Sequence, residues 1–370
     1  MDSTKLQFYF LIMSYICKTN LLDLMINSCP ADNRLTDREY LHKRHRFSYQ
    51  QIDRFLGSSS PKASVSEKVC QLESVKKFLD LTDLLRKNDV TFIPLKGCLL
   101  SYRIYDDPAV RQSHDIDLLV PMKDLDRTVL LMKEDGFDLS DGAVWPERKE
   151  QRQWLFTALH HIALYNKSKN LLVEIHWSLT ENLSISTSRS LQLLSENLME
   201  VMFAGRVFTV MKPEFELLFL MIHGSRHGWE RLKWLMDIND YPFDSLDMVQ
   251  WKKLAGVFKA DRIISQADYL LGRYFGSGLP FPEKNSAPSF LLEYPICRVG
   301  REIDAGFTVA DLLKDLYYSL SLFPSLGYKI RVLGGKLFSP GDLKNLDASF
   351  KLVYYFYRPY GFIKRRLHNG

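Results

Sequence analysis

The chain has 370 residues, 46% apolar and 25% charged, the balance of a globular protein with room for two or three domains. Its net charge is +5, but the last twenty residues hold Lys351, Arg358, Lys364, Arg365 and Arg366 and no acid. The remaining 44 bases face 44 acids, which excludes a broad nucleic-acid-binding face. No apolar run reaches the ~20 residues that a membrane span needs.

Taken in order, Leu6 to Cys17 is apolar but follows one lysine and lacks a small-residue cleavage site, so it reads as a buried helix rather than a signal peptide. Residues up to about 75 read as uneven helix, broken by the loop Ser58-Ser59-Ser60-Pro61. From Glu73 a stripe of Val75, Phe78, Leu79, Leu81, Leu84 and Leu85 predicts a helix ending near Asn88-Asp89. Val90 to Leu95 reads as a short edge strand, Lys96-Gly97 as a turn, and Cys98 to Tyr105 as a short helix. Asp115 to Val120 is a second strand, followed by a helical stripe through Leu125, Val129, Leu130 and Met132. His161–Tyr165 and Leu171–Trp177 flank a five-residue polar loop and predict a hairpin. After about Thr180 the strand signals fade. Pro213 sits at a first helical position, a second helix is expected over Glu230 to Ile238, and the remainder reads as helix up to the basic tail.

The fold class expected is α+β: a small mixed sheet flanked by N-terminal helices and a helical C-terminal domain. The boundaries fall at 1–74, 75–185 and 186–370, the last including the basic tail. Five scattered cysteines without CxxC spacing argue for a reducing compartment, and so for the cytoplasm, and against a disulfide framework or a zinc site.

The chemistry concentrates between Leu95 and Val120. On a strand Asp115 and Asp117 project from one face, roughly 6–7 Å apart. Two such carboxylates repel unless a cation lies between them, and oxygen donors suit Mg²⁺. A solvated strand edge is the alternative, but Leu118-Leu119-Val120 implies a buried strand whose carboxylates need partners. Glu174 interrupts a second buried run, Leu171 to Trp177, and reads either as a third metal ligand or as a lone edge glutamate. Lys96-Gly97 stands between strand and helix, where free N–H groups and a lysine could meet an anion; a plain turn is the alternative. Arg111 reads as a bidentate phosphate ligand or as a partner of Asp106 or Asp107. His223 and His227 are four apart on one helix face, as core residues, metal ligands or pocket lining. His176 shares a strand face with Glu174 and could orient it or bind phosphate. The basic tail reads as a docked terminal helix, with contact to an anionic membrane surface as the alternative.

Together these residues resemble the nucleotidyltransferase superfamily of the DNA polymerase beta type, and more closely its uncharacterised bacterial branch. The matching pieces are LKG at Leu95-Lys96-Gly97, R-x-x-x-DIDLLV from Arg111 to Val120, EIHW from Glu174 to Trp177, and H-x-x-x-H-x-W with R-L-x-W-L-x-D-I from His223 to Ile238. The resemblance covers roughly residues 75 to 240. It implies that Asp115 and Asp117 bind metal, that Glu174 completes the metal site and readies an acceptor hydroxyl, and that Gly97 belongs to the phosphate-binding turn. It also implies that His223, His227, Trp229 and Asp237 line the nucleotide or acceptor pocket, with Lys96, Arg111 and His176 on the nucleotide side. Gly97-Cys98 departs from the Gly-Ser common in the superfamily, so the serine hydroxyl contact is absent. The implied activity is Mg²⁺-dependent transfer of a nucleoside monophosphate from a nucleoside triphosphate such as ATP to a small-molecule, glycan or peptide acceptor, with release of pyrophosphate. The alternatives are a catalytically degenerate binding or regulatory module on the same fold, and phosphoryl transfer to a peptide or sugar.

Overall fold

The computed structural model describes residues 33–336 apart from 59–60, 141–144, 147–148, 181, 282–286 and 302–307. The expected Leu6–Cys17 helix and the basic tail lie outside the described residues. Among the described cysteines Cys70 and Cys98 carry free thiols. Cys297 is disulfide-bonded, a cross-link that the scattered spacing read as arguing against a disulfide framework did not announce.

The chain is α+β. Three helices lead in: α1 (Arg38–His45), α2 (Tyr49–Leu56) and α3 (Pro61–Lys87). The last begins well before the Glu73 stripe, at Pro61, a residue whose fixed φ suits a first helical turn. It ends as expected, with Asp89 in the left-handed region at φ 53°. Then come β1 (Ile93–Pro94), α4 (Gly97–Tyr105), β2 (Asp115–Leu119), α5 (Leu125–Glu134), β3 (Asp138–Leu139), α6 (Lys149–Ala158), β4 (His161–Asn166) and β5 (Leu171–His176). These five strands form one mixed sheet in the order β1-β2-β5-β4-β3. Only β2 and β5 run parallel; the other pairs are antiparallel.

The register of the two central strands decides the site. Asp117 pairs with Glu174, and Leu118 with Ile175. Ile116, Leu118, Val173 and Ile175 face one way, into a core shared with Val75, Phe78, Leu81 and Leu85 of α3. Leu118, Val173 and Ile175 are fully buried, each contributing about 1.5–3 kcal/mol. A slip of one residue would expose that apolar set, so burial of one face fixes Asp115, Asp117, Glu174 and His176 on the other.

Beyond the sheet follow α7 (Thr187–Glu196), β6 (Leu198–Phe203), β7 (Arg206–Met211), α8 (Pro213–Arg226), α9 (Lys233–Asn239), α10 (Met248–Phe258), α11 (Asp261–Phe275), α12 (Ser289–Val299), α13 (Val309–Ser321) and α14 (Leu326–Lys336). The β6–β7 hairpin corrects the expectation that strand signals fade after Thr180. Its turn is Ala204-Gly205, with φ 48° and 74°. Two positive φ values ordinarily call for Asn-Gly or Asp-Gly, and the alanine conceals the turn in the sequence. Pro213 does open α8.

Helices α8 to α13 pack around a second core that includes Trp229, Trp251, Phe258 and Tyr318. Trp229 lies against Gly224, where an added Cβ would meet its ring at 2.3 Å. Its indole N–H donates to Gln266 Oε1 at 2.7 Å, an oxygen that also accepts from the Tyr318 hydroxyl at 3.1 Å. Three distant stretches meet at buried Arg44 of α1. Its guanidinium donates to the carbonyls of Arg301 at 2.9 Å and of Glu230 and Arg298 at 2.8 Å.

Candidate active site

The site begins with the backbone. The Leu95 N–H donates to the Asp117 carbonyl at 3.1 Å, which brings the Lys96-Gly97 turn alongside the middle of β2. Gly97 then opens α4 with φ 71°, a conformation that glycine adopts without a Cβ penalty. Lys96, at the N-cap, makes no side-chain cap, so the helix start depends on other partners for its free N–H groups.

Asp117 is the electrostatic centre, 6% exposed. Lys96 Nζ lies 3.1 Å from its Oδ2, and His176 Nε2 lies 3.1 Å from its Oδ1. Burial alone would raise this carboxyl, but the Lys96 ammonium and His176 hold it well below the usual carboxylate range. His176 Nε2 also stands 3.3 Å from Glu174 Oε2. Burial works against a charged His176, yet its bonds to Asp117 and Glu174 raise it above the ordinary histidine value. Ligand atoms of Asp117, Glu174 and His176 all lie within 4.8 Å of one another, so these three residues could hold a metal ion. Asp115 is half-buried at the start of β2 and is not part of that close group; its backbone carbonyl accepts from Ser113 Oγ at 3.0 Å.

A cleft of about 580 Å³ opens between α3, the Lys96–Cys98 turn and the start of β2. Lys77, Lys96, Gly97, Arg111, Asp115 and Asp117 all contribute to its lining. Its three cations, Lys77, Lys96 and Arg111, suit an anionic occupant. Cys98 lines it as well, with burial pushing its thiol up to about 12, so it brings no negative charge.

Arg111 does not pair with Asp106 or Asp107. Its Nε donates to both carboxylate oxygens of Asp237, at 2.8 and 3.0 Å. Asp237 is fully buried, so it reaches the cleft only through Arg111. His223 and His227 do come together, with ring centroids 4.6 Å apart, and both rings lie against Trp234. Burial, with Lys96 next in size, keeps His223 neutral by lowering it well below the ordinary value. Burial and the neighbouring Arg226 take His227 down to about 3.

Sequence reasoning missed Lys233, His160 and His161. Lys233 opens α9 and is 9% exposed. Burial pushes its ammonium down to about 7 from 10.5; Arg111 adds to that, while Asp115 and Asp237 oppose it. With the folded value below the unfolded one, the unfolded chain keeps the proton longer, so stability rises with pH from about 7 toward about 10.5. Thermal melts of wild type and Lys233→Met should therefore differ by pH, wild type gaining on the variant between about pH 6 and about pH 9.5. Parallel pH curves for the two proteins would contradict the burial of this charge. His161 pairs with His176 across the β4–β5 hairpin; Asn166 belongs to β4, so the turn has four residues, and counting from a five-residue loop would have set His160 opposite His176 instead.

Paired acidic strands beside a basic cleft and an open helix start suit a phosphate-bearing substrate and its cation. The chain matches the uncharacterised nucleotidyltransferase family over residues 63–275, more than half its length, and belongs to it. No curated protein matches the chain. The family assignment makes it a transferase of nucleotidyl groups. Among the described residues no helix is long and apolar enough to cross a membrane.

Proposed function

We propose that the chain moves a nucleoside monophosphate from a nucleoside triphosphate to an acceptor hydroxyl on a small molecule, glycan or peptide, with Mg²⁺ as the cation. The observation that carries this reading is the register pairing of Asp117 with Glu174 next to the Lys96-Gly97 turn and its cleft. The donor chemistry fits the ion. Asp117 is a buried carboxylate that already draws the Lys96 ammonium and the His176 imidazole, and Asp115 and Glu174 add hard oxygen donors on the same sheet face. Asp115, Asp117 and Glu174 would hold it, and it would neutralise charge on the phosphates.

The remaining work falls to side chains of this chain. Lys96, Arg111 and the free N–H groups at the start of α4 bind the triphosphate in the cleft. Asp237 holds the Arg111 guanidinium in place. Glu174 accepts the acceptor hydroxyl proton as that oxygen bonds to the α-phosphorus, and His176 fixes the Glu174 carboxylate. The bond from the α-phosphorus to its bridging oxygen breaks, and pyrophosphate leaves. His223 and His227, neutral and packed on Trp234, are not among the residues that line this cleft.

Calorimetry with ATP, with and without Mg²⁺, followed by transfer assays with α- and γ-labelled nucleotide, tests this reading. The expected result is binding at least about tenfold tighter with Mg²⁺, about 1.4 kcal/mol, and movement of the α-label only. Movement of the γ-label would make it a phosphoryl transferase. The Lys96–Asp117 contact, which places an ammonium on the central carboxylate, favours a second reading as a binding module. Nucleotide affinity indifferent to Mg²⁺, with no label moving, would support that instead.

A further inference from the structure

Beside the carboxylates stands a cluster of three imidazoles of which nucleotidyl transfer uses His176 alone. His160, just ahead of β4, His161 at its first position and His176 at the end of β5 form a closed triangle of imidazoles. Ring centroids lie 4.4 Å apart for His160 and His161, 4.9 Å for His161 and His176, and 5.5 Å for His160 and His176. Each ring offers a nitrogen within 4.8 Å of those of the other two. The triangle is built by the hairpin: β4 and β5 pair His161 with His176, and the Trp177 N–H donates to the His160 carbonyl at 3.0 Å, fixing the residue ahead of the strand.

Three details single it out from a chance cluster. His160 Nε2 and His161 Nδ1 share a hydrogen bond at 3.1 Å, so the two nitrogens already converge to a spacing near the roughly 3.3–3.4 Å between two nitrogens on one tetrahedral ion with bonds of about 2.0–2.1 Å. His176, 4% exposed, spends Nε2 on the carboxylates of Asp117 and Glu174, while its Nδ1 is buried with no hydrogen-bond partner among the described residues. An imidazole tied through one nitrogen to a carboxylate and bare at the other is the arrangement that a metal-ligating histidine uses. Finally, Glu174 Oε2 lies 3.8 Å from His161 Nε2 as well as 3.3 Å from His176 Nε2, adding negative charge beside the triangle.

We infer that His160, His161 and His176 form a binding site for a borderline divalent transition metal such as Zn²⁺, separate from the oxygen-lined site for Mg²⁺. Imidazole nitrogens select such ions, and Mg²⁺ prefers oxygen. Three protein ligands leave one position on the ion for water or a substrate atom. The inference stands apart from nucleotidyl transfer, since it rests on the histidines and its test reads metal binding alone.

The probe is Co²⁺, titrated into the chelator-stripped full chain and followed by its visible absorption. One equivalent should give the intense bands of a four- or five-coordinate ion, and Zn²⁺ should abolish them. H161Q and H160Q should each weaken the Co²⁺ binding that gives these bands by at least about tenfold, while D115N, on the oxygen-lined site, should leave the intense bands in place. His161 is half-buried, so H161Q keeps the test decisive if H160Q fails to fold. Equal Co²⁺ binding by wild type and H161Q, no Co²⁺ spectrum at all, or loss of the spectrum in D115N would each overturn the inference.

Discussion

Asp117→Asn is expected to lower transfer of α-labelled nucleotide by on the order of 10³-fold, about 4 kcal/mol of barrier. The substitution keeps the shape but removes the charge that Lys96 and His176 now share. It therefore strikes twice. The centre loses its most buried carboxylate, and the Lys96 ammonium, 12% exposed, is left without its partner. Losing one member of a buried ion pair costs about 3–5 kcal/mol of stability, so the assay needs variants that separate folding from chemistry. Asp115→Asn, at a half-buried position, should fold normally and still lose transfer. Lys96→Met combined with Asp117→Asn should regain stability, because no lone charge remains, yet stay inactive. Transfer undiminished in Asp117→Asn would remove this residue from the centre of the mechanism.

The second large effect is on stability. Asp237→Ala should cost about 3–5 kcal/mol, because it leaves the Arg111 guanidinium, 3% exposed, buried without its counter-charge. The pair joins the approach to β2 with α9, elements separated by 126 positions in the chain. Urea unfolding of Asp237→Ala against the double variant Arg111→Met/Asp237→Leu checks the cause. The double variant should recover much of the loss, since an apolar pair of similar size needs no charge partner. A loss below about 1 kcal/mol in the single variant would mean that water reaches Arg111.

Much of the sheet and the strand placement of the acidic residues were legible because both depend on local pattern. Apolar runs interrupted by Asp115, Asp117 and Glu174 announce β2 and β5, and alternation says which side chains share a face. What escaped depends on distance along the chain or on a concealed turn. Nothing near Arg111 names Asp237 as its partner, and the nearer Asp106 and Asp107 are better local candidates. No spacing rule puts Lys96 on Asp117, which follows from the backbone bond between Leu95 and Asp117. The β6–β7 hairpin was hidden by an alanine at φ 48°. Cys98, which marks a departure from Gly-Ser in the sequence, proves to be a protonated thiol on the wall of the cleft.

Arg44 carries a consequence for the order in which the chain can assemble. Its three carbonyl acceptors belong to Glu230, Arg298 and Arg301, up to 257 positions later. During synthesis the first helices emerge long before any of these acceptors exist. Until then the Arg44 side chain must stay hydrated, and α1 cannot take its final seat. At about 5–20 residues per second, that wait lasts on the order of ten seconds to a minute. The α1 segment is therefore a waiting surface on the nascent protein, exposed to chaperones throughout elongation and closed only when the stretch around residue 300 arrives.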